Sequence, residues 1–244
     1  MPGRGPRRWT LIGSVILVGL LVLGAVYVVL SEPSEAGHDP SAATTPTAPA
    51  ASEVPSPTYR TPDAADDCAA DTTSQRLPTT TPKDITWSVW NSAALPASKS
   101  AGPLETNEKT GVTSCYARTP VGAVMAAINI SYRASLAAPD TTIIKKQVAD
   151  GHYKKQLVDV AANYEAPRSI PQVAGFQIVD YQRSQALVAI AVGSPETGLG
   201  TSTTTVAWED GTWKMVAGAD DLTGGGGWTR IDDLSGYIPL KGVG

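Results

Sequence analysis

Apolar residues divide the chain into three stretches. Residues 11–30 are continuously apolar and uncharged. At ~1.5 Å per residue they span the ~30 Å hydrocarbon core of a bilayer and predict a transmembrane helix. Residues 31–83 hold no sustained apolar pattern. From residue 84 onward, apolar positions recur with regular periods. Residues 85–91 alternate, with Ile85, Trp87 and Val89 on one side, and predict a strand. Pro96, Gly102 and Pro103 punctuate a loop, and residues 112–117 predict a second short strand. A helix follows. Thr119 suits the N-cap, Pro120 the first helical position, and Pro139 marks the stop. Its apolar stripe is Val121, Val124, Met125, Ile128, Tyr132 and Leu136. A second helical stretch covers 141–164 with a break at Asp150 and Gly151; Tyr153, Leu157, Val160, Ala161 and Tyr164 form its stripe. Beyond Pro171 the period changes to two. Residues 173–183, 185–192, 202–208 and 212–217 then predict four successive antiparallel strands, with Asp210-Gly211 as a hairpin signal. The apolar face of such a meander needs a cover, which the preceding helices can supply. The fold class is therefore α+β, with helices packed on a curved antiparallel sheet. The tail, 221–244, opens on the glycines 224–227, a flexible break, and is expected to dock through Trp228, Ile231, Leu234 and Tyr237.

Composition and charge refine this division. Residues 31–83 contain nine prolines and eight acidic residues against three basic ones. Such a stretch buries too little apolar surface to offset its ordering entropy and reads as a disordered stalk. Arg4, Arg7 and Arg8 precede the apolar run, whereas Glu32 and Glu35 follow it. The positive-inside rule then leaves a cytoplasmic tail at 1–10 and puts residues 31–244 outside, on a single-pass anchor in the cytoplasmic membrane. The competing reading, a cleaved signal peptide, calls for a shorter apolar region of ~7–15 residues. The remaining chain is close to neutral, which argues against a direct nucleic-acid partner. The folded domain is assigned to 84–220.

Candidate chemistry is sparse. Cys68 and Cys115 lie on the oxidising side in this topology, and pairing them closes a loop of about 47 residues; the alternative is two independent thiols. His38 and His152 are isolated, and two distant cysteines do not complete a metal site. No phosphate-binding or nucleophile–base motif is present, so no cofactor, metal or catalytic residue is assigned and the chain reads as a non-enzyme. Phe176, Ile178 and Asp180 share one strand face by period two. If that face lines a cone between sheet and helices, it forms a pocket for an apolar ligand, with Leu187 and Val188 beside it. Asp180 would then be a carboxylate in an apolar pocket, the one arrangement here that could serve as a general base. Lys145, Lys146, Lys154 and Lys155 form a basic cluster, either a solvated helix face or a partner surface.

Helices first, then a strongly curved meander, is the order of the cystatin-like or nuclear-transport-factor-like α+β fold. With the membrane helix added, the chain resembles the bitopic scaffold subunits of type IV secretion systems. The segments CYARTPVGAVMAAINI (115–130), VAGFQIVDY (173–181) and DLSGYIPL (233–240) are similar to a family of membrane proteins from actinobacterial integrative and conjugative elements. That resemblance implies a scaffold or interaction subunit of a conjugative, type IV-like transfer apparatus, whose partners are other protein subunits or copies of itself. It carries over no catalytic residues. The alternatives are a binding module with an apolar, cone-shaped pocket, and a pocket enzyme using Asp180.

Overall fold

A computed structural model describes residues 68, 70–166, 170–195, 198–223 and 227–240. The anchor at 11–30, the tail at 1–10 and the stalk up to residue 67 lie outside the described residues. Among the described residues, no helix is long and apolar enough to cross a membrane.

The described chain is α+β. It opens with a hairpin, β1 (Ile85–Trp90) and β2 (Ala93–Ser98). Asn91 and Ser92 make the two-residue turn, both at positive φ (46° and 68°). Such turns match the twist of the flanking strands. β2 is a strand where the sequence reading had a loop. Ala93, Leu95 and Ser98 are buried, and Pro96 sits opposite Trp87 in the two-stranded ladder. Proline is tolerated there because β2 has no strand on its other side. The second predicted strand shrinks to a two-residue pair, β3 (Glu105–Thr106) with β4 (Thr113–Ser114).

The long helix α1 (Pro120–Ala137) follows, capped by Thr119, whose Oγ1 accepts the Gly122 N–H at 3.1 Å. Its burial is not a single stripe: thirteen of its eighteen residues are buried. The helix touches β2 of the hairpin on one side and the main sheet, built from residues 172–216, on the other, so it has a core on both sides. The small residues Ala123, Ala126, Ala127 and Ala134 allow that close approach. The second helical stretch is two helices, α2 (Thr142–Gln147) and α3 (His152–Ala162), divided at Asp150 and Gly151 as the sequence predicts. Between them Val148 makes a parallel bridge to Met215.

The meander is β5 (Gln172–Gln182), β6 (Gln185–Ser194), β7 (Gly198–Glu209) and β8 (Thr212–Val216). All four predicted strands are present and paired antiparallel in chain order. Their inner faces carry Phe176, Val188, Ile190, Val206, Trp213 and Met215, none more than 5% exposed, against α1. Each such side chain contributes roughly 1.5–3 kcal/mol on burial.

The tail docks in a way the apolar pattern does not reveal. β9 (Thr229–Arg230) pairs with Gly200 and Thr201 of β7, and β10 (Ile238–Pro239) pairs with β5 at Gly175 and Phe176. β6 lies between those two strands, and α1 occupies the inner face. Residues 231–237 therefore cross the outer face of the sheet as a strap. The row beneath it, Gly175, Ala191 and Thr201, is small. Ala191 is fully buried there, and Tyr237 bonds Thr201 at 2.9 Å. Leu240 is the buried anchor, at 3% exposure, whereas Trp228 is 42% exposed. Gly200 leaves Trp228 its seat: a Cβ at that position would come within 2.0 Å of the indole.

The folded unit also starts earlier than residue 84. Residues 70–83, assigned to the stalk by composition, lie on the domain. The Asp71 N–H donates to Ser100 O (2.8 Å), Gln75 Nε2 to Arg118 O (2.8 Å), and Thr81 Oγ1 to Pro239 O (2.6 Å). Hydrogen bonds and a disulfide hold this segment with almost no apolar burial; its Leu77 is 50% exposed.

Candidate functional site

The residues singled out from the sequence divide sharply once folded. Phe176 is fully buried, Ile178 is partly buried, and both face the core. Asp180 does not join them. The β5–β6 ladder shifts register between Ile178 and Asp180, leaving Val179 as an extra residue. This β-bulge turns Asp180 outward, where it is exposed, and gives its inner place to Tyr181. Tyr181 packs beside Trp213 (6.4 Å between rings) and donates to Gln75 Oε1 at 2.7 Å. The arrangement that would have made Asp180 a pocket base is therefore absent. Around Phe176 the interior is filled by side chains.

Lys145, Lys146 and Lys155 are exposed, on two different helices. Lys154 is bound to Asp150 at 2.8 Å, a pair one helical turn apart. His152 is exposed and meets Tyr153 edge-on at 4.7 Å. Among the described residues, no group of three or more His, Cys, Asp or Glu is placed to hold a metal ion. Cys68 and Cys115 are joined in a disulfide, with Cα atoms 5.3 Å apart.

An open space does exist, displaced from the predicted one. The C-terminal half of α1, the helix α3 and the sheet diverge and leave a cavity of about 300 Å³. Its walls are largely apolar: Leu136, Ile144, Leu157, Ala161, Val192 and Met215. Ser135, Ser202 and Thr204 add hydroxyls to the lining. Tyr132 lies along one side, its hydroxyl donating to Pro171 O at 2.8 Å. Burial pushes that phenol well above its ordinary range.

One charged residue lines this cavity. Asp221 belongs to a single turn of 3₁₀ helix, Asp220–Thr223, that packs against α3. Its Oδ2 accepts the Gly218 N–H at 2.7 Å. Burial raises its pKa above the ordinary aspartate value, and the neighbouring Asp220 charge adds to the rise. Asp71, Asp140 and Asp233 shift the other way, each held down by a serine or threonine two residues on. No signal in the local sequence separates Asp221 from these. Its setting comes from α3 and the sheet.

Residues 44–239, most of the chain, match the model of a family described as a domain of unknown function, DUF8175. The chain belongs to this family. No curated protein and no solved structure matches it significantly. Within the DUF8175 domain, the lead-in to α1 is Tyr-Ala-Arg-Thr-Pro-Val-Gly-Ala at 116–123, and several of its residues have a clear structural task. The Tyr116 hydroxyl is 2.6 Å from Thr113 Oγ1, and Ala117 O accepts Trp213 Nε1 at 2.9 Å. Arg118 lies over the Trp208 ring at 5.4 Å and donates to Arg183 O. Thr119 and Pro120 start the helix. Gly122 passes directly over Ala117 O, where a Cβ would come within 2.0 Å. This segment nails the helix start to the end of the meander, and it contacts no part of the cavity.

Proposed function

We propose that this chain is a membrane-anchored module whose extracytoplasmic domain binds a small, largely apolar ligand. The single observation behind this reading is the cavity of about 300 Å³ between α1, α3 and the sheet. Concave, mainly apolar sites of this size with a few polar groups at the edge are where small molecules bind. The helix-then-meander order agrees with the cystatin-like or nuclear-transport-factor-like plan, in which sheet and helices diverge into a cone. The apolar run at 11–30 supplies the anchor, and the arginines before it set the domain outside.

The scaffold role in a conjugative, type IV-like apparatus stands second. It rests on the resemblance of 115–130, 173–181 and 233–240 to actinobacterial membrane proteins. The chain's own strap crosses the outer face of the sheet and leaves less of that face for a partner. The exposed lysines on α2 and α3 remain as a surface for an acidic partner.

The test is binding of a neutral apolar probe, 1-octanol, to the full chain in lipid nanodiscs, measured by titration calorimetry against empty nanodiscs. Ala161 is 8% exposed and lines the cavity, so Ala161→Phe fills it. Saturable binding that is lost in Ala161→Phe supports the reading. Equal heats for both proteins would defeat it.

A further inference from the structure

The cavity's electrostatics narrow the ligand further than its shape does. The reasoning that follows rests on the binding reading above. Among the described residues, Asp221 is the one charged residue in the lining, and none of the lining residues is a lysine, arginine or histidine. Its Oδ2 is engaged by the Gly218 N–H, and no described residue donates to Oδ1. Three other carboxylates of the domain meet a cation or a local hydroxyl: Asp150 pairs with Lys154, Asp210 with Lys214, and Asp84 takes the hydroxyls of Ser98 and Ser100. Among the described residues, Asp221 alone combines an apolar wall with a half-occupied carboxylate. Leaving a carboxylate partly desolvated without a cation is unfavourable, so the site is complementary to a positive group arriving from outside.

From this charge complementarity we propose that the ligand is a small amine amphiphile, with its apolar body in the cavity and its ammonium on Asp221 Oδ1. The volume sets the size. At ~30 Å³ per water-sized unit, a cavity of about 300 Å³ admits roughly ten non-hydrogen atoms. Leu157, Ala161, Val192 and Met215 would contact the body. Ser202 and Thr204, on the inner side of β7, would offer hydroxyl oxygens to the remaining ammonium protons. A carboxylate-headed ligand of the same length meets Asp221 with like charge and is disfavoured.

Three probes of one chain length separate this proposal from the binding reading itself: octylamine, 1-octanol and octanoate. Each is titrated into the full chain in zwitterionic nanodiscs, with empty nanodiscs and the Ala161→Phe chain as blanks. Octylamine should bind about tenfold or more tighter than 1-octanol, as for a hydrogen bond to a charged group, and octanoate more weakly than either. In Asp221→Asn the amine should lose its advantage over 1-octanol, and saturable 1-octanol binding that persists shows the cavity intact. In the unaltered protein the advantage should fade as pH falls through the Asp221 titration. The titratable neighbour of that carboxylate is Asp220 on the same turn, and Tyr132 and Tyr164 are the other titratable groups among the described lining residues. If 1-octanol binds and octylamine gains nothing, or if octanoate binds best, the amine assignment is wrong and the cavity reading stands. If no probe binds, both fall together.

Discussion

Removing the Cys68–Cys115 disulfide should loosen one segment before it destabilises the rest. The bond spans 47 residues, and chain-entropy reasoning gives about 4 kcal/mol for closing a loop of that length. The segment it pins, 70–83, has little else to hold it. Its hydrogen bonds to Ser100, Arg118, Tyr181 and Pro239 are worth about 1 kcal/mol each net of water. The covalent tie matches those four hydrogen bonds together in size and fixes one end of the segment, so without it the segment should lift off. Because a lifted segment relaxes, the global loss should fall below the full 4 kcal/mol, and Tm should drop by roughly 5–10 °C. The perturbation is the double substitution Cys68→Ala with Cys115→Ala, which avoids stray thiols. Hydrogen exchange read by mass spectrometry should show peptides from 70–83 exchanging fast while α1 and β6 stay protected. A Tm change under about 2 °C, with 70–83 still protected, would refute the reasoning. So would a uniform loss of protection across the domain, which would make the disulfide part of the core rather than a tether.

Two further outcomes follow from the geometry. Gly122→Ala should destabilise the fold by about 2 kcal/mol or more in denaturant titration, since its Cβ would come within 2.0 Å of a backbone carbonyl that already serves Trp213; an unchanged midpoint would mean the helix start can shift freely. Asp221 carries a raised pKa, so its contribution favours the fold at low pH and is lost as pH rises through the folded value. Asp221→Asn should therefore raise Tm at neutral pH. Its advantage should close as pH falls below the ordinary aspartate value of 3.8, and a constant offset at all pH values would contradict the assignment.

Much of this architecture is written locally. Alternation after Pro171 marks all four meander strands, Asp210-Gly211 marks their last turn, and Thr119-Pro120 marks the start of α1, because caps, turns and two-residue periods depend on neighbours in the chain. The features that matter for function are set by partners distant in sequence. A single extra residue at Val179 reverses everything after it in β5, which moves Asp180 to water and Tyr181 to the core. No periodicity in the strand announces that bulge. The stripe on α1 did not foretell burial on nearly every side, since that requires the β1–β2 hairpin as a second cover. Segment 70–83 is polar by composition and the strap at 231–237 has only three apolar residues, and backbone pairing, side-chain hydrogen bonds and one disulfide fasten them. The cavity depends on how far α1 and α3 diverge from the sheet. Its carboxylate, Asp221, is one of several aspartates in similar local sequence, and only packing against α3 sets it apart. Hydropathy reports which faces seek a partner, and tertiary contact decides which face each one meets and where space is left between them.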